Sequence, residues 1–506
     1  MRSVRTVAIV GAGWSGLQIG KVLRECGFEV SIIEELDDVG GTWHPDRAYH
    51  GLSIHSPIFR VQFHEFNDSA GRNPMKRLPS SDVFETSRAF AKSFGLYEVT
   101  TFRQRVTALA YSSSERRCRL TLQSLEDGRL SHRDYDFVIS TQFNSPRMPK
   151  LEGRSSFAGD VLHSNDVKSA VIDDIVKNRR KVVLLGGSKA ATDLALAFVD
   201  RNYEFTWLMR AMYWFLNYDK GYYNHKKGKP ASLVNRLIYV FGLSFFSSKL
   251  TLMLGFWLWR LTGMIHTPGR PHLDLRRFHH GSLDEHQVAT LRAQTQPVYG
   301  ELAELEAEHV RLTDGRRLAC DVLICATGCD PLAVPIALSV DGRSLRYEEA
   351  GPLYRYSVIP KIPRLCFTGF FQFGFGPMNG YHRAAWIMRY LEQDLSSEAL
   401  QEIAAREATP QASKFQSAAF DSSDHFMPRA AKQLTVMLES PRLLLDRKEY
   451  LTSYAIKFQL KPIRSLDDYI RSQLKPNDAP VDRSTPTVES QLGQASVDSV
   501  TSDVVS

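Results

Sequence analysis

The chain has 506 residues, of which 43% are hydrophobic and 24% are charged, and its formal net charge is +7. At roughly 100–200 residues per domain, this length predicts two or three domains, and the composition is typical of a globular protein. The small positive charge argues against a nucleic-acid-binding surface, and the sequence has no zinc-finger, RNP or basic-helix pattern.

The cysteines argue against a disulfide framework and against a zinc site, because none of the six belongs to a CxxC pair. No metal site is therefore expected. Residues 1–5 lead directly into an apolar run, without the features of a secretory signal. These observations favour a reducing, cytoplasmic setting.

A strand, a glycine-rich turn and a helix open the chain. The apolar run at residues 7–10 precedes a GxGxxG pattern formed by Gly11, Gly13 and Gly16, and apolar residues then recur at helical spacing. In a dinucleotide-binding fold, the first glycine makes a tight turn and the second lets the backbone approach a pyrophosphate. The third allows the helix to pack closely against the strand. The helix N-terminus attracts the phosphates, so Trp14 and Ser15, which lie between the glycines, are also predicted to contact them.

An acidic residue follows the second strand, which is predicted at residues 28–33. Glu34 lies 18 residues after Gly16, where a carboxylate binds ribose hydroxyls and repels a 2′-phosphate. This first site therefore favours FAD or NAD over NADP.

A second strand-turn-helix pattern begins near residue 181. Gly186 follows an apolar strand, and Ser188 occupies the position of the second glycine. The predicted strand at residues 205–209 ends in Arg210 rather than in an acid, and a guanidinium there favours the 2′-phosphate of NADPH. Residues that continue this turn into its helix are also predicted to bind the coenzyme: Lys189, Ala190, Ala191, Thr192 and Asp193.

Residues 233–265 are the most apolar part of the chain, but Arg236, Lys249 and Arg260 interrupt them. The uncharged runs are shorter than the ~20 residues that a spanning helix needs. Two interpretations remain open. The segment lines a hydrophobic substrate pocket, or it joins the basic residues 225–229 in a surface for peripheral contact with an intracellular membrane. Two Asp-Gly pairs, at 127–128 and 314–315, predict hairpins, and residues 475–506 have the composition of a disordered tail.

Several ordered motifs carry a resemblance to a known family. Residues 37–43 end in Gly41, Thr42 and Trp43, which resembles the GGTW segment of flavin-containing and Baeyer-Villiger monooxygenases. Residues 157–163 match the start of their FxGxxxH fingerprint, residues 186–193 resemble their NADPH-binding turn, and residues 323–328 resemble their ATG strand. The chain is thus similar to the flavin-containing monooxygenases, of the type found in fungal secondary metabolism.

This resemblance implies an α/β fold with two Rossmann-like dinucleotide-binding domains, in which the NADPH domain is inserted into the FAD domain. The expected boundaries are 1–155 for the first part of the FAD domain, 156–320 for the NADPH domain with its 233–265 insertion, and 321–474 for the second part of the FAD domain. Residues 365–369 are expected to form the last strand of the FAD domain, before a helix at 381–391.

The resemblance also implies roles for individual residues. The GGTW loop would lie against the flavin, and Ser56, Thr327 and Gly328 would join the cofactor-binding residues. His55 stands where the family has an asparagine that contacts the oxygenated flavin, so it is the candidate catalytic residue. For His163, two roles remain open: a functional one, and a structural one in the linker that joins the two nucleotide-binding domains.

The implied activity is an FAD- and NADPH-dependent monooxygenase reaction. One oxygen atom of O2 would enter a bulky, hydrophobic organic small molecule through a C4a-hydroperoxyflavin. Two alternatives remain: an FAD-dependent NADPH oxidoreductase that inserts no oxygen, and a nucleotide-sensing protein without catalysis.

Overall fold

The computed structural model describes most of the first 407 residues: 4–54, 77–141, 145–221, 223–224, 229–230, 232, 234–235, 257–269, 278–330, 336–351, 353–354, 357–368, 383–384, 386–388, 390–391 and 394–407. The predicted disordered tail, as well as most of the 233–265 segment, lies outside these residues.

The first parallel sheet is built around the N-terminal strand, Thr6–Val10. Four of its five residues are buried, as expected for a strand covered on both faces. The sheet has five strands in the order Leu365–Phe367, Phe137–Ser140, Thr6–Val10, Glu29–Ile33 and Thr100–Thr101.

The second parallel sheet also has five strands, in the order Val298–Tyr299, Thr206–Met209, Val182–Leu185, Val322–Cys325 and Asp160–His163. All its strands lie between residues 160 and 325 of the chain, whereas Leu365–Phe367 returns to the first sheet. The structure thus confirms the predicted α/β fold with two Rossmann-like sheets, the second inserted into the first.

One boundary needs correction. Residues 321–474 were expected to form the second part of the first domain, but Val322–Cys325 pairs in parallel with Val182–Leu185 on one side and Asp160–His163 on the other. This fully buried strand lies inside the second sheet, so the chain leaves that sheet after Cys325 rather than at residue 320. The motif resemblance identified the strand but did not show which sheet hydrogen-bonds to it.

A third sheet packs beside the first and contains one of the predicted hairpins. Asp127 and Gly128 connect two antiparallel strands, with φ of 73° at Gly128, and the second predicted hairpin turns at Gly315 with φ of 85°. The third sheet has the order Arg343–Leu345, Ala337–Val340, Gln104–Ser112, Arg117–Ser124 and Leu130–Tyr135. The smaller sheets are Leu302–Glu306 with His309–Leu312 and Arg317–Ala319; Ile265–His266 with Trp214–Asn217 and Phe278–Leu283; Tyr223–Asn224 with Lys229–Pro230; and Ser145–Pro146 with Cys329–Asp330.

Two helices follow the two glycine-rich turns: Trp14–Glu25 after the first and Lys189–Val199 after the second. The buried face of each packs into the apolar core of its own sheet. The other described helices are Ser80–Ser93, Ser169–Lys177, Tyr218–Gly221, Glu285–Gln294 and Ser397–Glu407, with 3-10 turns at Gly41–Trp43, Leu96–Val99, Ser164–Asp166 and Tyr347–Glu349. Within the predicted helix 381–391, the residues that the structure describes are helical. None of the helices among the described residues is long and apolar enough to cross a membrane.

Asp136 ties the beginning of the first strand to the first sheet. One of its carboxylate oxygens accepts hydrogen bonds from the backbone N–H groups of Arg5 at 3.0 Å and Thr6 at 2.9 Å, and from the Thr6 hydroxyl. Burial opposes ionisation of this group, but the hydrogen bonds outweigh burial and lower the pKa of Asp136.

We expect Asp136→Asn to lower the free energy of unfolding at pH 7 by about 2 kcal/mol, because charge-assisted hydrogen bonds contribute about 1.5–3 kcal/mol. A carboxylate with a lowered folded-state pKa stabilises the fold above its unfolded pKa of about 3.9, and this contribution is lost as the pH falls through the folded-state value. The difference between variant and wild type should therefore shrink below about pH 4. Urea unfolding at pH 7 and below about pH 4 measures this difference in the free energy of unfolding, and the exposed Asp174→Asn is the control. A difference that does not change with pH would contradict the role given to Asp136.

Candidate functional site

The first glycine-rich turn has a backbone that requires glycine at two positions. Gly11 has φ of 105°, and its N–H donates to the Ile33 carbonyl at 2.8 Å, which holds the turn against the neighbouring strand. A Cβ on Gly16 would lie 2.0 Å from the Gly11 carbonyl oxygen. Both glycines are therefore needed for the helix to begin directly above the strand.

Gly13 differs, because the protein itself does not require a glycine there. Its φ of −74° is ordinary, and among the described residues a Cβ would meet only the Gly41 Cα, at 3.7 Å. Gly13 and Gly41 face each other, and the Gly40 N–H donates to the Ala12 carbonyl at 3.0 Å. The result is a narrow cleft of bare backbone at the N-terminus of Trp14–Glu25, where the amide groups of the first helical turn have no partners within the helix.

Two tryptophans close one side of this cleft. The rings of Trp14 and Trp43 lie 5.6 Å apart, and the Trp14 indole N–H donates to the Ser87 hydroxyl at 2.6 Å. Thr42 is exposed and Ser15 is half-buried. The GGTW loop therefore packs against the first turn, next to the end of the central strand.

Glu34 is buried beneath the first turn. One carboxylate oxygen accepts the Ala12 N–H at 2.5 Å, and the other accepts the Leu36 N–H at 3.0 Å. The acid thus fixes the two loops that form the cleft. Each oxygen has a further lone pair, so these contacts leave acceptor capacity for a hydroxyl.

The second turn repeats the geometry of the first. Gly186 has φ of 131°, its N–H donates to the Leu208 carbonyl at 2.9 Å, and a Cβ there would lie 2.4 Å from the Ala326 carbonyl oxygen. Ser188 has φ of −83° and ψ of −174°, close to the −74° and 179° of Gly13. This similarity explains why serine is tolerated: the position has an ordinary backbone conformation in both turns.

Lys189 and Asp193 do not reach outward. Their side chains are each 4% exposed and form an ion pair one helical turn apart. Burial is the largest influence on Lys189 and lowers its pKa, which Asp193 opposes. The two charges therefore neutralise each other inside the protein, and the prediction that these two residues bind the coenzyme stays a prediction.

The remaining predicted residues of the second site have different surroundings. Ala190 is half-buried, whereas Ala191 and Thr192 are buried, and the Thr192 hydroxyl donates to the Lys189 carbonyl at 2.8 Å. Arg210 is exposed directly after Thr206–Met209, so its guanidinium lies at the same end of the sheet as the turn.

Thr327 and Gly328 lie where the chain leaves the second sheet. The Thr327 hydroxyl donates to the Arg147 carbonyl at 2.5 Å, and the Gly328 carbonyl accepts from the Arg147 N–H at 3.0 Å. Because Nδ1 of His163 accepts the Asn165 N–H, its Nε2 carries the proton and donates to the Gly328 carbonyl at 2.9 Å. These contacts favour the structural interpretation of His163. Thr327 and Gly328 both contact Arg147, and their predicted role in cofactor binding stays a prediction.

Sequence reasoning missed a segment that connects the two turns, residues 44–54, here called the bridging segment. The Ala48 carbonyl accepts from the Lys168 ammonium at 2.6 Å, and the His50 N–H donates to the Val167 carbonyl at 2.8 Å. The Tyr49 hydroxyl donates to Asp193 at 2.9 Å. No short motif marks this segment; the one available signal was its position directly after the GGTW loop.

His55 and Ser56 follow the bridging segment and lie outside the described residues. Among the described residues, Asp37, His44 and Asp46 have ligand atoms within 4.8 Å of one another. The His44 ring already bonds within this group, because Nδ1 accepts the Asp46 N–H at 3.2 Å and Nε2 lies 3.0 Å from Asp37. These contacts hold the loop that follows Trp43 in place.

Solved structures with the same fold include a cyclohexanone monooxygenase in an open form and OTEMO in complex with FAD and NADP. The first is 15% identical with a TM-score of 0.57, covering 88% of this chain and 99% of that one. The second is 17% identical with a TM-score of 0.57, covering 78% of this chain and 86% of that one.

Similar curated proteins include the senecionine N-oxygenase of Tyria jacobaeae, 25% identical over 210 residues, which are 38% of this chain and 44% of that protein. An FAD-dependent monooxygenase of Pyrenophora dematioidea is 31% identical over 223 residues, 40% of this chain and 39% of that protein. The chain thus spans less than half the length of these two relatives.

The family comparison covers both glycine-rich turns and the bridging segment between them. Residues 4–232 match the profile of the flavin-binding monooxygenase-like proteins. The chain is thus similar to the flavin-binding monooxygenase-like proteins over the part of its length that contains both turns.

Proposed function

We propose that the protein is a flavin-dependent monooxygenase that binds FAD at the first turn and NADPH at the second. The observation that carries this proposal is the pair of turns with matching backbone geometry, at Gly11 and Gly186, each at the N-terminus of a helix. The sheet of the second turn is inserted into that of the first, and the residues that match the flavin-binding monooxygenase-like profile include both turns.

The cleft at the first turn suits the pyrophosphate of FAD. Gly13 and Gly41 leave backbone uncovered at a helix N-terminus, and a Cβ on Gly13 would meet, in the described part of the chain, only the Gly41 Cα at 3.7 Å. The carboxylate of Glu34 provides acceptors for a ribose and no place for a 2′-phosphate. Trp43 and Thr42 extend the cleft toward the place where a flavin ring would lie.

The second turn suits NADPH. Ser188 provides a small side chain that does not cap its own helix, so the helix N-terminus remains available to a pyrophosphate. Arg210 supplies a cation at the end of the adjacent strand, which suits the 2′-phosphate of the adenosine. Lys189, paired with Asp193, does not compete with Arg210 for that phosphate.

When bound, FAD and NADPH would supply electron transfer and oxygen activation, which no side chain provides. The protein's own residues would bind, orient and exclude water. The two turns hold the nucleotide halves, and the tryptophan pair, Trp14 and Trp43, covers the first cleft with apolar surface. His55 remains our proposed hydrogen-bond donor at the reacting centre.

Measuring the fate of oxygen tests this proposal against an FAD-dependent NADPH oxidoreductase without oxygen insertion. Purified protein should be yellow and should consume NADPH and O2 together. With labelled O2 and a panel of hydrophobic amines, sulfides and ketones, one labelled oxygen atom should appear in a product. Consumption of NADPH with hydrogen peroxide as the sole oxygen product across the panel favours the oxidoreductase, and colourless protein that binds no FAD contradicts both.

Gly13→Val should abolish FAD binding. The branched side chain would occupy the cleft where the backbone meets a pyrophosphate, although it meets no protein atom closer than Gly41. We expect colourless protein, measured as flavin absorbance per chain after purification. Ala337→Val is the control, because it introduces the same branched side chain at an exposed position of a strand in the third sheet. Stoichiometric flavin in the Gly13 variant would show that the first turn is not the FAD site.

Arg210→Ala should weaken NADPH binding roughly 10- to 100-fold, since it removes a charge-assisted contact of about 1.5–3 kcal/mol. NADH lacks the 2′-phosphate, so its KM should hardly change. Steady-state kinetics with both coenzymes provide the comparison, with Arg210→Lys expected to recover part of the loss. Equal losses for NADPH and NADH would mean that Arg210 does not contact the 2′-phosphate.

We also propose that the apolar segment makes peripheral contact with a membrane. Three large apolar residues of its described part are exposed: Val234 by 64%, Trp257 by 46% and Leu261 by 80%. Arg260 lies over the Trp257 ring, with its guanidinium carbon 5.1 Å from the ring centroid. A cation beside exposed aromatic and aliphatic groups suits an anionic lipid surface.

We expect the protein to sediment with vesicles that contain anionic lipid and to bind neutral vesicles more weakly. The double variant Trp257→Ser and Leu261→Ser should bind both less well, whereas Leu130→Ser, at an exposed position in the third sheet, should behave like wild type. Absence of vesicle binding by the wild-type protein would leave the substrate-pocket interpretation of the segment.

A further inference from the structure

The bridging segment links the GGTW loop of the first site to the second sheet. It begins at the GGTW loop of the first site, and it ends where the Ile54 N–H donates to the Leu78 carbonyl at 3.0 Å. Between these points, its Tyr49 ring packs against the apolar core of the second sheet, beside residues such as Val167 and Ala191. The segment therefore belongs to the first site by sequence and to the second sheet by packing.

Asp193 is the acceptor that makes this contact specific. It lies on the helix Lys189–Val199, one turn after the second glycine-rich turn, and one of its oxygens accepts the Tyr49 hydroxyl at 2.9 Å. The other oxygen pairs with Lys189. Gly51, with φ of 85°, brings the backbone of the bridging segment close to Asp193: a Cβ on Gly51 would lie 3.5 Å from the Asp193 Cβ.

A buried carboxylate is stable here because its charge is balanced. Lys189 compensates Asp193, so the Tyr49 hydroxyl meets an anion in a site from which water is largely excluded. A hydrogen bond in such a setting is short and directional, and it fixes the distance between its two partners. Tyr49 belongs to the segment that follows the GGTW loop, and Asp193 belongs to the helix of the second turn.

A second crossing contact lies at the far end of the bridging segment. Arg77, next to Leu78, donates to the Gln287 side chain at 2.9 Å and stacks on the Tyr218 ring at 4.1 Å. Gln287 belongs to the helix Glu285–Gln294 of the inserted domain. The contacts of Tyr49 and Arg77 thus restrain rotation as well as separation of the two sheets.

We propose that Tyr49 is a positioning residue: its hydrogen bond to Asp193 sets the second turn at the distance from the first at which a nicotinamide can reach a flavin. The inference rests on the proposed function. Two electrons and a proton pass as hydride from NADPH to FAD in that reaction, and its rate depends on the alignment of the two rings. Tyr49 acts through Asp193 and the helix N-terminus.

The test compares Tyr49→Phe with Tyr203→Phe. The first variant keeps the packed ring and removes the hydroxyl that crosses between the sheets. The second removes a hydroxyl that donates to the Arg180 carbonyl at 2.6 Å inside the second domain. Both should bind FAD fully and lose similar stability. In stopped-flow reduction under nitrogen, we expect the limiting rate at saturating NADPH to fall roughly tenfold or more in Tyr49→Phe and to stay within about twofold of wild type in Tyr203→Phe.

Hydrogen exchange provides a readout that does not depend on activity. In the FAD-loaded protein without NADPH, peptides covering residues 44–54 and 189–199 should exchange faster in Tyr49→Phe, and neither should do so in Tyr203→Phe. Lys168→Met removes the contact with the Ala48 carbonyl and should produce the same pattern, so the test survives poor folding of one variant.

An unchanged limiting rate in Tyr49→Phe, or equal rate losses in both tyrosine variants, overturns the proposal. Failure of the proposed function has a different signature. In that case the wild-type flavin is not reduced by NADPH at all, and only the hydrogen-exchange comparison remains to decide whether Tyr49 joins the two sheets.

Discussion

The structure depends on one backbone constraint that occurs twice: a strand must turn sharply into a helix whose N-terminus is left open. Gly11 and Gly186 satisfy it with positive φ, and each donates its N–H to the carbonyl of the neighbouring strand. A side chain at either position would strain the turn. Because the constraint is local, each turn forms with its own sheet. Other contacts must therefore set the position of one turn relative to the other.

Contacts of the bridging segment and of His163, on the edge strand of the second sheet, set the position of one turn relative to the other. Hydrogen bonds of Tyr49 and Lys168 join the bridging segment to the second domain. His163 lies at the edge of the second sheet and bonds to the Gly328 carbonyl, just after the chain has left that sheet. Each is a hydrogen bond between groups distant in sequence and at least partly buried. A few directional hydrogen bonds, together with apolar packing, therefore fix the position of one nucleotide site relative to the other. This arrangement suits a reaction between two bound cofactors.

The sequence predicted what depends on local pattern. Both turns, their strands and helices, the two Asp-Gly hairpins and the insertion of one sheet into the other agree with the structure. It did not predict which sheet takes the strand Val322–Cys325, because an apolar run does not specify its hydrogen-bonding neighbours. It also did not predict that Lys189 is buried in an ion pair with Asp193, whose other oxygen accepts the Tyr49 hydroxyl. Side-chain direction here is a tertiary property.

An anaerobic titration of the purified, FAD-loaded protein with NADPH tests most directly that two dinucleotides bind in positions that allow them to react. We expect about one equivalent of NADPH per bound flavin to bleach the absorbance near 450 nm, and equimolar NADH to do so far more slowly. Flavin that remains oxidised with excess NADPH, in protein that holds FAD stoichiometrically, would contradict the account.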